Sequence, residues 1–436
     1  MYCAYITTIK EIHKHSNADR LQCATIFGNN VIVDLTYYEG QRVVYFPVDG
    51  QLSEEFAAEN NLVRTKDENG NNTGGYLDPE KRNIRALKLR GEKSDGLVLP
   101  IEVLSKYTDI EQLSDGDQIT ILDGHEICRK YIPRRNHVRQ TNPGVSKTRK
   151  GRNKKDDKVA YPFFVEHVDT AQLAYNQSAF REGDTCYITL KMHGTSARTA
   201  NAIELSVKKP SLIGRIFGKN DETISQYKTV SGTRRTTLRD FGDGGWYGSN
   251  AFREKYHSFF KDKLPKGMEV FYEIVGYVNE STPIMGRCKN KLVKDKDFQR
   301  QYGDETVFSY GCEPGQNDCY VYRMTMTNED GFAVEIPWEQ VQIMCEKFGV
   351  KCVPTFEKFT YTTWEDLLSR VEKYYEGPDP IGKSHIREGV VVRIDNRPSF
   401  TAFKHKGWFF KCLEGIIKDT SDSPDMEEAE ELNVGG

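Results

Sequence analysis

Short runs in which apolar and polar residues alternate fill the first 130 residues of the chain. A period of two is typical of strands that bury one face, and Gly, Asn and Asp separate the runs as they separate strands in small β domains. The pattern therefore predicts a small β-barrel or sandwich here. The polar stretch 67–83 predicts a long loop. The strand-like runs are 2–12, 21–28, 29–35, 41–50 and 117–122.

The pattern changes after residue 160, where strand-like runs mix with segments of helical period. In the segment 336–349, for example, Val341, Met344 and Phe348 fall on one helical face. We predict one mixed α/β domain over 160–415, so that the whole chain is of the α+β class. Its predicted helices are 249–263, 336–349 and 363–377, and its predicted strands are 185–192, 202–208, 268–277, 305–311, 318–324, 388–395 and 400–406.

Charge separates these two parts. Lys and Arg dominate 134–158, which has few large apolar residues and predicts a linker. It is interpreted either as a solvated tether or as a phosphate-binding strap. The last residues are acidic and predict a disordered tail. The predicted divisions are a β-barrel domain at 1–130, a basic linker at 131–159, the α/β domain at 160–415 and the tail at 416–436.

The composition indicates where in the cell the protein is expected, but it does not indicate the function. The net charge is −3, so total charge neither favours nor excludes nucleic acid. The ten cysteines form no CxxC pair, the N-terminus is too polar for a signal sequence, and no apolar run is long enough to span a membrane. We expect an intracellular protein without membrane contact, in the cytoplasm or alternatively the nucleus.

Candidate chemistry centres on the stretch LKMHGTSART, which places Lys191 at the end of a predicted strand. A lysine amine that loses its proton can attack the α-phosphate of a nucleotide. Such a reaction needs carboxylates for a metal and the ribose, and further cations for the phosphates. The chain supplies these in order as Glu273, Glu388 and the pair Lys404 and Lys406, which share one face of a strand.

Each of these residues has an ordinary structural alternative. Glu273 taken alone is a half-exposed strand acid, Glu388 forms a surface pair with Arg387, and Phe308 is a core residue. His193 taken alone is a hydrogen-bonded structural histidine. The ordered occurrence of the whole set on strand-like runs favours nucleotidyl transfer.

This set resembles the motifs of the covalent lysyl-nucleotidyltransferases, which include ATP-dependent DNA ligases, RNA ligases and mRNA capping enzymes. KMHGTS is most similar to the RNA ligase 2-like group and the RNA-editing ligases, which often have His where the others have Asp. The resemblance covers roughly 160–412 and implies an ATP-grasp-like ligase domain. The segment 163–176 resembles the one that precedes the lysine in those RNA ligases.

The resemblance also implies a role for each residue. Lys191 would be the adenylated nucleophile, and Lys404 and Lys406 would form the pair of which one contacts the α-phosphate. Glu388 would position the metal, with Glu273 as a second carboxylate near the ribose. The remaining nucleotide contacts would be His193, Gly194, Phe308 (with Tyr310 as the rival) stacked on adenine, and Arg234 (preferred to Arg235) on phosphate.

The N-terminal stretch 11–28 resembles the opening of the OB modules that bind tRNA on some aminoacyl-tRNA synthetases, through His15 to Leu21. Alternatively, Asn17 and Asp19 only cap a local turn. An OB barrel offers a strand face and loops to single-stranded nucleic acid. DNA ligases and capping enzymes carry this module after the transferase domain, whereas a subgroup of RNA ligases carries it in front.

Together these features predict an ATP-dependent RNA ligase that seals 3′-OH and 5′-phosphate ends through a lysyl-AMP intermediate. The expected cofactors are ATP and Mg²⁺ or Mn²⁺, the expected partners are RNA ends in a nicked or splinted duplex, and a monomer is expected. The alternatives are a GTP-dependent capping-type guanylyltransferase and a non-catalytic RNA-binding protein with a transferase-like fold.

Overall fold

The computed structural model describes residues 2–70, 73–133, 159–208, 222–238, 240–242, 247–395 and 397–420. Most of the predicted basic linker, from 134 to 158, and the acidic residues 421–436 lie outside the described residues. The choice between a tether and a phosphate-binding strap therefore stays a prediction.

The described residues among the first 130 form short strands, as the alternating pattern predicts, together with one short α-helix and two 3-10 turns that it does not predict. Ser53 caps this helix, α1, because its side chain accepts a hydrogen bond from the Phe56 N–H. The elements are β1 Ala4–Thr8, β2 Glu11–Lys14, β3 Leu21–Ile26, β4 Asn29–Asp34, β5 Arg42–Phe46, β6 Gly50–Leu52, α1 Glu54–Glu59, β7 Leu87–Leu89, β8 Glu92–Ser94, β9 Leu97–Pro100, β10 Gln118–Ile119, β11 Ile121–Leu122, β12 His125–Glu126 and β13 Cys128–Lys130.

The central sheet of this part has the order β10-β1-β5-β9 and is covered on both faces. Alternate residues of β5 explain this arrangement, because successive side chains of a strand point to opposite faces. Val44 and Phe46 pack into a core with α1, whereas Val43 and Tyr45 pack against residues of β3 and β4. The polar stretch 67–83 contains no helix or strand among its described residues, as predicted, yet Leu77 is buried in the first core.

Among its described residues, the second part contains the remaining strands and five α-helices. Its strands are β14 Val159–Ala160, β15 Ala171–Gln172, β16 Thr185–Lys191, β17 Thr195–Lys208, β18 Glu222–Gly232, β19 Thr237–Leu238, β20 Met268–Gly276, β21 Cys288–Lys289, β22 Glu305–Thr306, β23 Asn317–Thr327, β24 Ala333–Glu335, β25 Lys351–Cys352, β26 Thr355–Thr360, β27 Gly389–Ile394 and β28 Ala402–Lys406. Its helices are α2 Ala251–Phe260, α3 Lys296–Tyr302, α4 Trp338–Phe348, α5 Trp364–Glu372 and α6 Trp408–Thr420.

Two large sheets organise this part. One has the order β19-β18-β17-β20-β23-β24, with β14 and β25 at its margins, and the other has the order β15-β28-β27-β16-β26. The main hydrophobic core joins them, since it contains Tyr187 and Leu190 of β16 as well as Val270 and Tyr272 of β20. The α+β class is therefore confirmed.

The structure corrects the sequence prediction at two places. The predicted strand 305–311 ends after Thr306, and the following residues form a loop in which Tyr310 has a φ of +51°. The predicted tail from 416 overlaps α6, which continues to Thr420. This helix buries Trp408, Phe410 and Leu413, because tertiary packing recruits an apolar stripe that a short chain end does not form alone.

The N-terminal part packs against α6 and its surroundings. The Lys411 ammonium lies 2.5 Å from the Asp95 carboxylate, and the Cys412 thiol donates to the Ala86 carbonyl at 3.6 Å. Tyr175, just after β15, stacks on Tyr5 of β1 with ring centroids 4.1 Å apart. The two parts therefore share a polar and an aromatic contact. No helix in the described ranges combines the length and apolarity needed to cross a membrane.

Candidate active site

Three adjacent strands bring the predicted lysines together. β27 pairs with β16 on one side and with β28 on the other, and both neighbours are antiparallel to it. Gly389, the first residue of β27, pairs with Lys191 at the end of β16 and with Lys406 at the end of β28. Register alone thus places two residues that are far apart in the chain on either side of one glycine.

Gly389 cannot carry a side chain in this position. Its φ is +152°, and a Cβ atom would lie 2.1 Å from the His405 carbonyl oxygen. Only glycine adopts such a conformation without strain. The glycine therefore allows β27 and β28 to approach closely at the level of the two lysines.

Glu388 lies one residue before Gly389 and forms an ion pair with Lys191. The Lys191 Nζ and Glu388 Oε1 atoms are 2.6 Å apart. The side chain of Lys191 is 22% exposed, whereas that of Glu388 is 2% exposed. A carboxylate this deeply buried is stabilised only when cations surround it. The Lys191 side chain is therefore the more exposed member of this ion pair.

Lys406 supplies a second cation to the same carboxylate. Its Nζ atom lies 3.6 Å from Glu388 Oε1 and 2.8 Å from both carboxylate oxygens of Glu414 in α6. Lys404, two residues earlier, pairs with Val391 in register and is half-buried. Strand alternation places Lys404 and Lys406 on the same face of β28, as predicted.

His193 lies in the turn between β16 and β17 and contacts Glu388 from another direction. Its Nδ1 atom is 3.9 Å from Glu388 Oε2. Its ring makes edge-to-face contacts with Phe308 and Phe410, at centroid distances of 4.6 and 4.8 Å. Its backbone N–H donates to the Tyr310 hydroxyl at 2.7 Å. Contacts of both its ring and its backbone therefore fix the position of His193.

Gly194 and Glu273 meet at the start of β17. A Cβ atom on Gly194 would lie 2.3 Å from the Ile274 carbonyl oxygen of β20, so close strand approach already requires the glycine. Ser196 pairs in register with Glu273 and donates from its hydroxyl to Glu273 Oε2 at 3.1 Å. The contact of either residue with a nucleotide stays a prediction.

The two remaining predicted residues, Phe308 and Arg234, already contact other side chains of the protein. Phe308 is 1% exposed, and His193, His385 and Phe410 surround its ring. Stacking on adenine would require one of these rings to move, and it stays a prediction. Arg234 donates from Nε to Asp169 Oδ1 at 2.9 Å, so a phosphate would compete with that carboxylate.

The fit of a divalent cation depends on Glu388. Its Oε2 atom is buried and accepts no hydrogen bond from the part of the chain that the structure describes. A buried carboxylate oxygen beside Lys191 that lacks a hydrogen-bond donor among the described residues suits Mg²⁺ or Mn²⁺, which prefer oxygen ligands. Over the same ranges, no group of three or more His, Cys, Asp and Glu side chains could hold a metal ion. Such a cation would therefore need phosphate and water ligands in addition to the few protein carboxylates that can reach it.

Sequence reasoning missed Glu414 and the hydrogen bonds of Tyr310 and His385 beside the site. Phe410, Leu413 and Ile417 repeat with helical spacing, and that signal could have predicted α6 and the position of Glu414 on it. For Tyr310, the family resemblance implies only a possible role in base stacking. His385 carries no motif, so its contact with Tyr310 could not have been found from local sequence.

Comparisons with known proteins give the family and the fold relatives of this chain. An RNA ligase family model matches residues 184–411, more than half of the chain, and an OB-fold domain model matches residues 3–101. No curated protein sequence gives a significant match.

Solved structures of similar fold include the Naegleria gruberi RNA ligase with PPi. It is 18% identical, with a TM-score of 0.56 over 96% of this chain and 99% of that chain. A mutant of that ligase with AMP and Mn is also 18% identical, with a TM-score of 0.55 over 94% of this chain and 97% of that one. This likeness shows a shared fold across both parts. Together with the match to the family model, it confirms the predicted resemblance, and the chain belongs to the RNA ligase family.

Proposed function

We propose that this protein is an ATP-dependent RNA ligase that joins 3′-OH and 5′-phosphate ends through an adenylated Lys191. The observation that carries the proposal is the 2.6 Å contact between Lys191 Nζ and Glu388 Oε1, with Lys406 on the same oxygen. A partly exposed lysine that shares one buried carboxylate oxygen with a second cation suits attack on a nucleotide phosphate. Membership of the RNA ligase family supports the same chemistry.

In the first step, the neutral Lys191 amine attacks the α-phosphorus of ATP. A phosphorus–nitrogen bond forms, the bond from that phosphorus to the bridging oxygen breaks, and pyrophosphate leaves. Glu388 is the acceptor in contact with the Lys191 ammonium, so it can take the proton before attack. Lys404 and Lys406 stabilise the negative charge that develops on the phosphates.

Two transfers complete the reaction. An oxygen of the RNA 5′-phosphate attacks the phosphorus of lysyl-AMP, which breaks the phosphorus–nitrogen bond and returns Lys191. The 3′-OH then attacks the activated 5′-phosphate, its proton passes to water, and AMP leaves as the new phosphodiester forms. The second transfer needs no new protein nucleophile.

Glu388 would hold the divalent cation, with Glu273 as a second carboxylate, and the cation would neutralise phosphate charge. The Naegleria gruberi RNA ligase has been solved with ATP and Mn and with AMP and Mn, which supports Mn²⁺ or Mg²⁺ here. We also propose that the protein acts as a monomer on nicked or splinted RNA. The division between a domain at 1–130 and a second domain that begins at 160 belongs to the same proposal, as does an intracellular location.

The proposal is tested with ATP labelled at the α-phosphate. We expect label that survives denaturation in the wild type and none in Lys191→Ala. Lys228→Ala is a matched control, because Lys228 also lies 2.6 Å from a glutamate oxygen, that of Glu204, outside the site. We expect this variant to label as the wild type does. Label that persists in Lys191→Ala would overturn the assignment of the nucleophile.

Two further comparisons separate the alternatives. Labelled GTP in place of ATP would give the adduct if the protein were a capping-type guanylyltransferase. RNA binding without any adduct would indicate a non-catalytic protein. Ligation of matched nicked RNA and DNA substrates then measures the preference for RNA ends.

A further inference from the structure

Two separate chain segments, one with Tyr310 and one with His385, form hydrogen bonds in series at the turn that follows Lys191. The Tyr310 hydroxyl accepts a hydrogen bond from the His193 backbone N–H at 2.7 Å. The backbone N–H of Tyr310 in turn donates to His385 Nε2 at 3.3 Å. Tyr310 is 3% exposed and His385 is fully buried, so water does not compete for these hydrogen bonds.

The hydrogen bonds of His385 define which of its two ring nitrogen atoms carries the proton. Its Nε2 atom must accept, because a backbone N–H is always the donor. Its Nδ1 atom lies 2.8 Å from the Ile386 carbonyl oxygen, which can only accept, so Nδ1 carries the proton. The ring is therefore neutral and has one orientation in which both contacts form.

Tyr310 has a backbone conformation that needs such support. Its φ of +51° is in the left-handed region, which non-glycine residues rarely adopt. Its ring contacts the His385 ring edge to face, at a centroid distance of 4.6 Å. Residues in such conformations persist where their surroundings determine them and are common at functional sites.

The loop that carries His385 is itself well supported. The Asp379 N–H donates to the His385 carbonyl oxygen at 2.8 Å, and the Asp379 carboxylate accepts from the Gly382 N–H at 2.5 Å. Glu388 follows His385 by three residues on the same segment. The contacts therefore close a ring that runs from Glu388 through Lys191, His193 and Tyr310 to His385 and back along the chain.

We propose that Tyr310 and His385 are positioning residues, which hold the His193 turn so that the Lys191 amine stays against Glu388. Neither residue needs to touch the nucleotide. The inference rests on the proposed adenylation of Lys191 and adds two residues that local motifs do not contain. Their effect is on geometry, and in-line attack by an amine is sensitive to displacements of about 1 Å.

The test measures the rate of lysyl-AMP formation in a single turnover at increasing ATP concentration. Tyr310→Phe removes the acceptor for the His193 N–H and keeps the ring. We expect a maximal rate at least about tenfold below that of the wild type, with a half-saturating ATP concentration changed less than about threefold. Tyr256→Phe is the matched control. Tyr256 is a buried residue of α2, away from the turn, and its hydroxyl donates to Asn317 Oδ1 at 2.9 Å.

A pair of substitutions at His385 tests the second hydrogen bond. His385→Phe keeps a ring and removes the acceptor, and it should lower the maximal rate as Tyr310→Phe does. His385→Gln offers an amide oxygen to the Tyr310 N–H and should recover most of the rate. A merely structural role predicts instead that rate losses follow the loss in melting temperature in all variants, including Tyr256→Phe.

The outcomes separate the two proposals. If the wild type forms no Lys191 adduct with ATP, the proposed function fails. If the wild type forms the adduct and both Tyr310→Phe and His385→Phe form it at the wild-type rate, only the positioning role is overturned. Equal loss in His385→Gln and His385→Phe would also overturn it, because the acceptor would not matter.

Discussion

Lys406 lies between two carboxylates, and the nearer of them belongs to Glu414. Both Glu414 oxygens are 2.8 Å from Lys406 Nζ, whereas Glu388 Oε1 is 3.6 Å away. Glu414 is on α6, the helix that the N-terminal part contacts through Lys411 and Asp95. The same helix thus contacts the N-terminal part through Lys411 and contacts Lys406, the cation next to the candidate nucleophile Lys191, through Glu414.

We expect Glu414→Gln to lower the rate of lysyl-AMP formation by about three- to tenfold. Without the Glu414 charge, Glu388 becomes the principal anion for Lys406. Lys406 then neutralises more of the Glu388 charge, which is the charge that contacts Lys191. The measurement is single-turnover labelling with α-labelled ATP. Glu372→Gln, an exposed residue of α5, is the control and should change nothing. An unchanged rate in Glu414→Gln would contradict this view of Lys406.

Gly389→Ala should destabilise the protein by about 2–4 kcal/mol. Its Cβ atom would meet the His405 carbonyl oxygen at 2.1 Å, and the φ of +152° strains any L side chain. Gly415→Ala is the contrasting variant, because this helical glycine has its nearest neighbour, Arg85 Cδ, at 3.7 Å. We expect Gly415→Ala to stabilise by about 0.5–1 kcal/mol. Urea unfolding of both variants measures the two changes.

Asp95 and Lys411 should be energetically coupled by about 1–3 kcal/mol, because both side chains are largely buried between the two parts of the chain. A double-mutant cycle with Asp95→Asn and Lys411→Met measures this coupling from the free energy of unfolding. Arg300 and Asp297 form an exposed pair on α3 and should show a coupling below about 0.5 kcal/mol. Equal coupling in the two cycles would mean that burial at the domain contact has no effect.

The buried pair of Arg198 and Glu269 predicts a pH dependence of stability. Burial raises the pKa of Glu269 from 4.5 to about 8, although Arg198 Nη1 lies 3.5 Å from the carboxylate. The folded protein therefore keeps the Glu269 proton at pH values where the unfolded chain has lost it. The resulting stability is complete below pH 4.5 and is lost as the pH rises to about 8.

Measurement of the free energy of unfolding between pH 5 and 8 tests this dependence. The wild type should lose up to about 1.4 kcal/mol per pH unit more than Glu269→Gln over this range. Glu305→Gln, at an exposed ion pair with Arg287, should leave the wild-type slope unchanged. Parallel curves for the wild type and Glu269→Gln would show that Glu269 ionises at its ordinary pKa.

The motif residues could be predicted because reaction chemistry dictates their types and because each stands beside a recognisable strand. Lys191 ends β16, Glu388 precedes β27, and Lys404 and Lys406 alternate on β28. The strand predicted at 305–311 was wrong after Thr306, although its residues are apolar enough for a strand. Tertiary contacts of Tyr310 outweigh local preference there, since a buried hydroxyl and N–H both find partners outside the segment.

By itself, the sequence determined the α+β class, the order of the two domains, the nucleophile candidate and the RNA ligase resemblance. Only the tertiary structure decided that Gly389 stands between Lys191 and Lys406, that α6 carries Glu414, and that His385 supports Tyr310. The physical reason is that register and buried hydrogen bonds join residues far apart in the chain. His385 and Tyr310 are 75 residues apart, and no local pattern records the geometry that joins them.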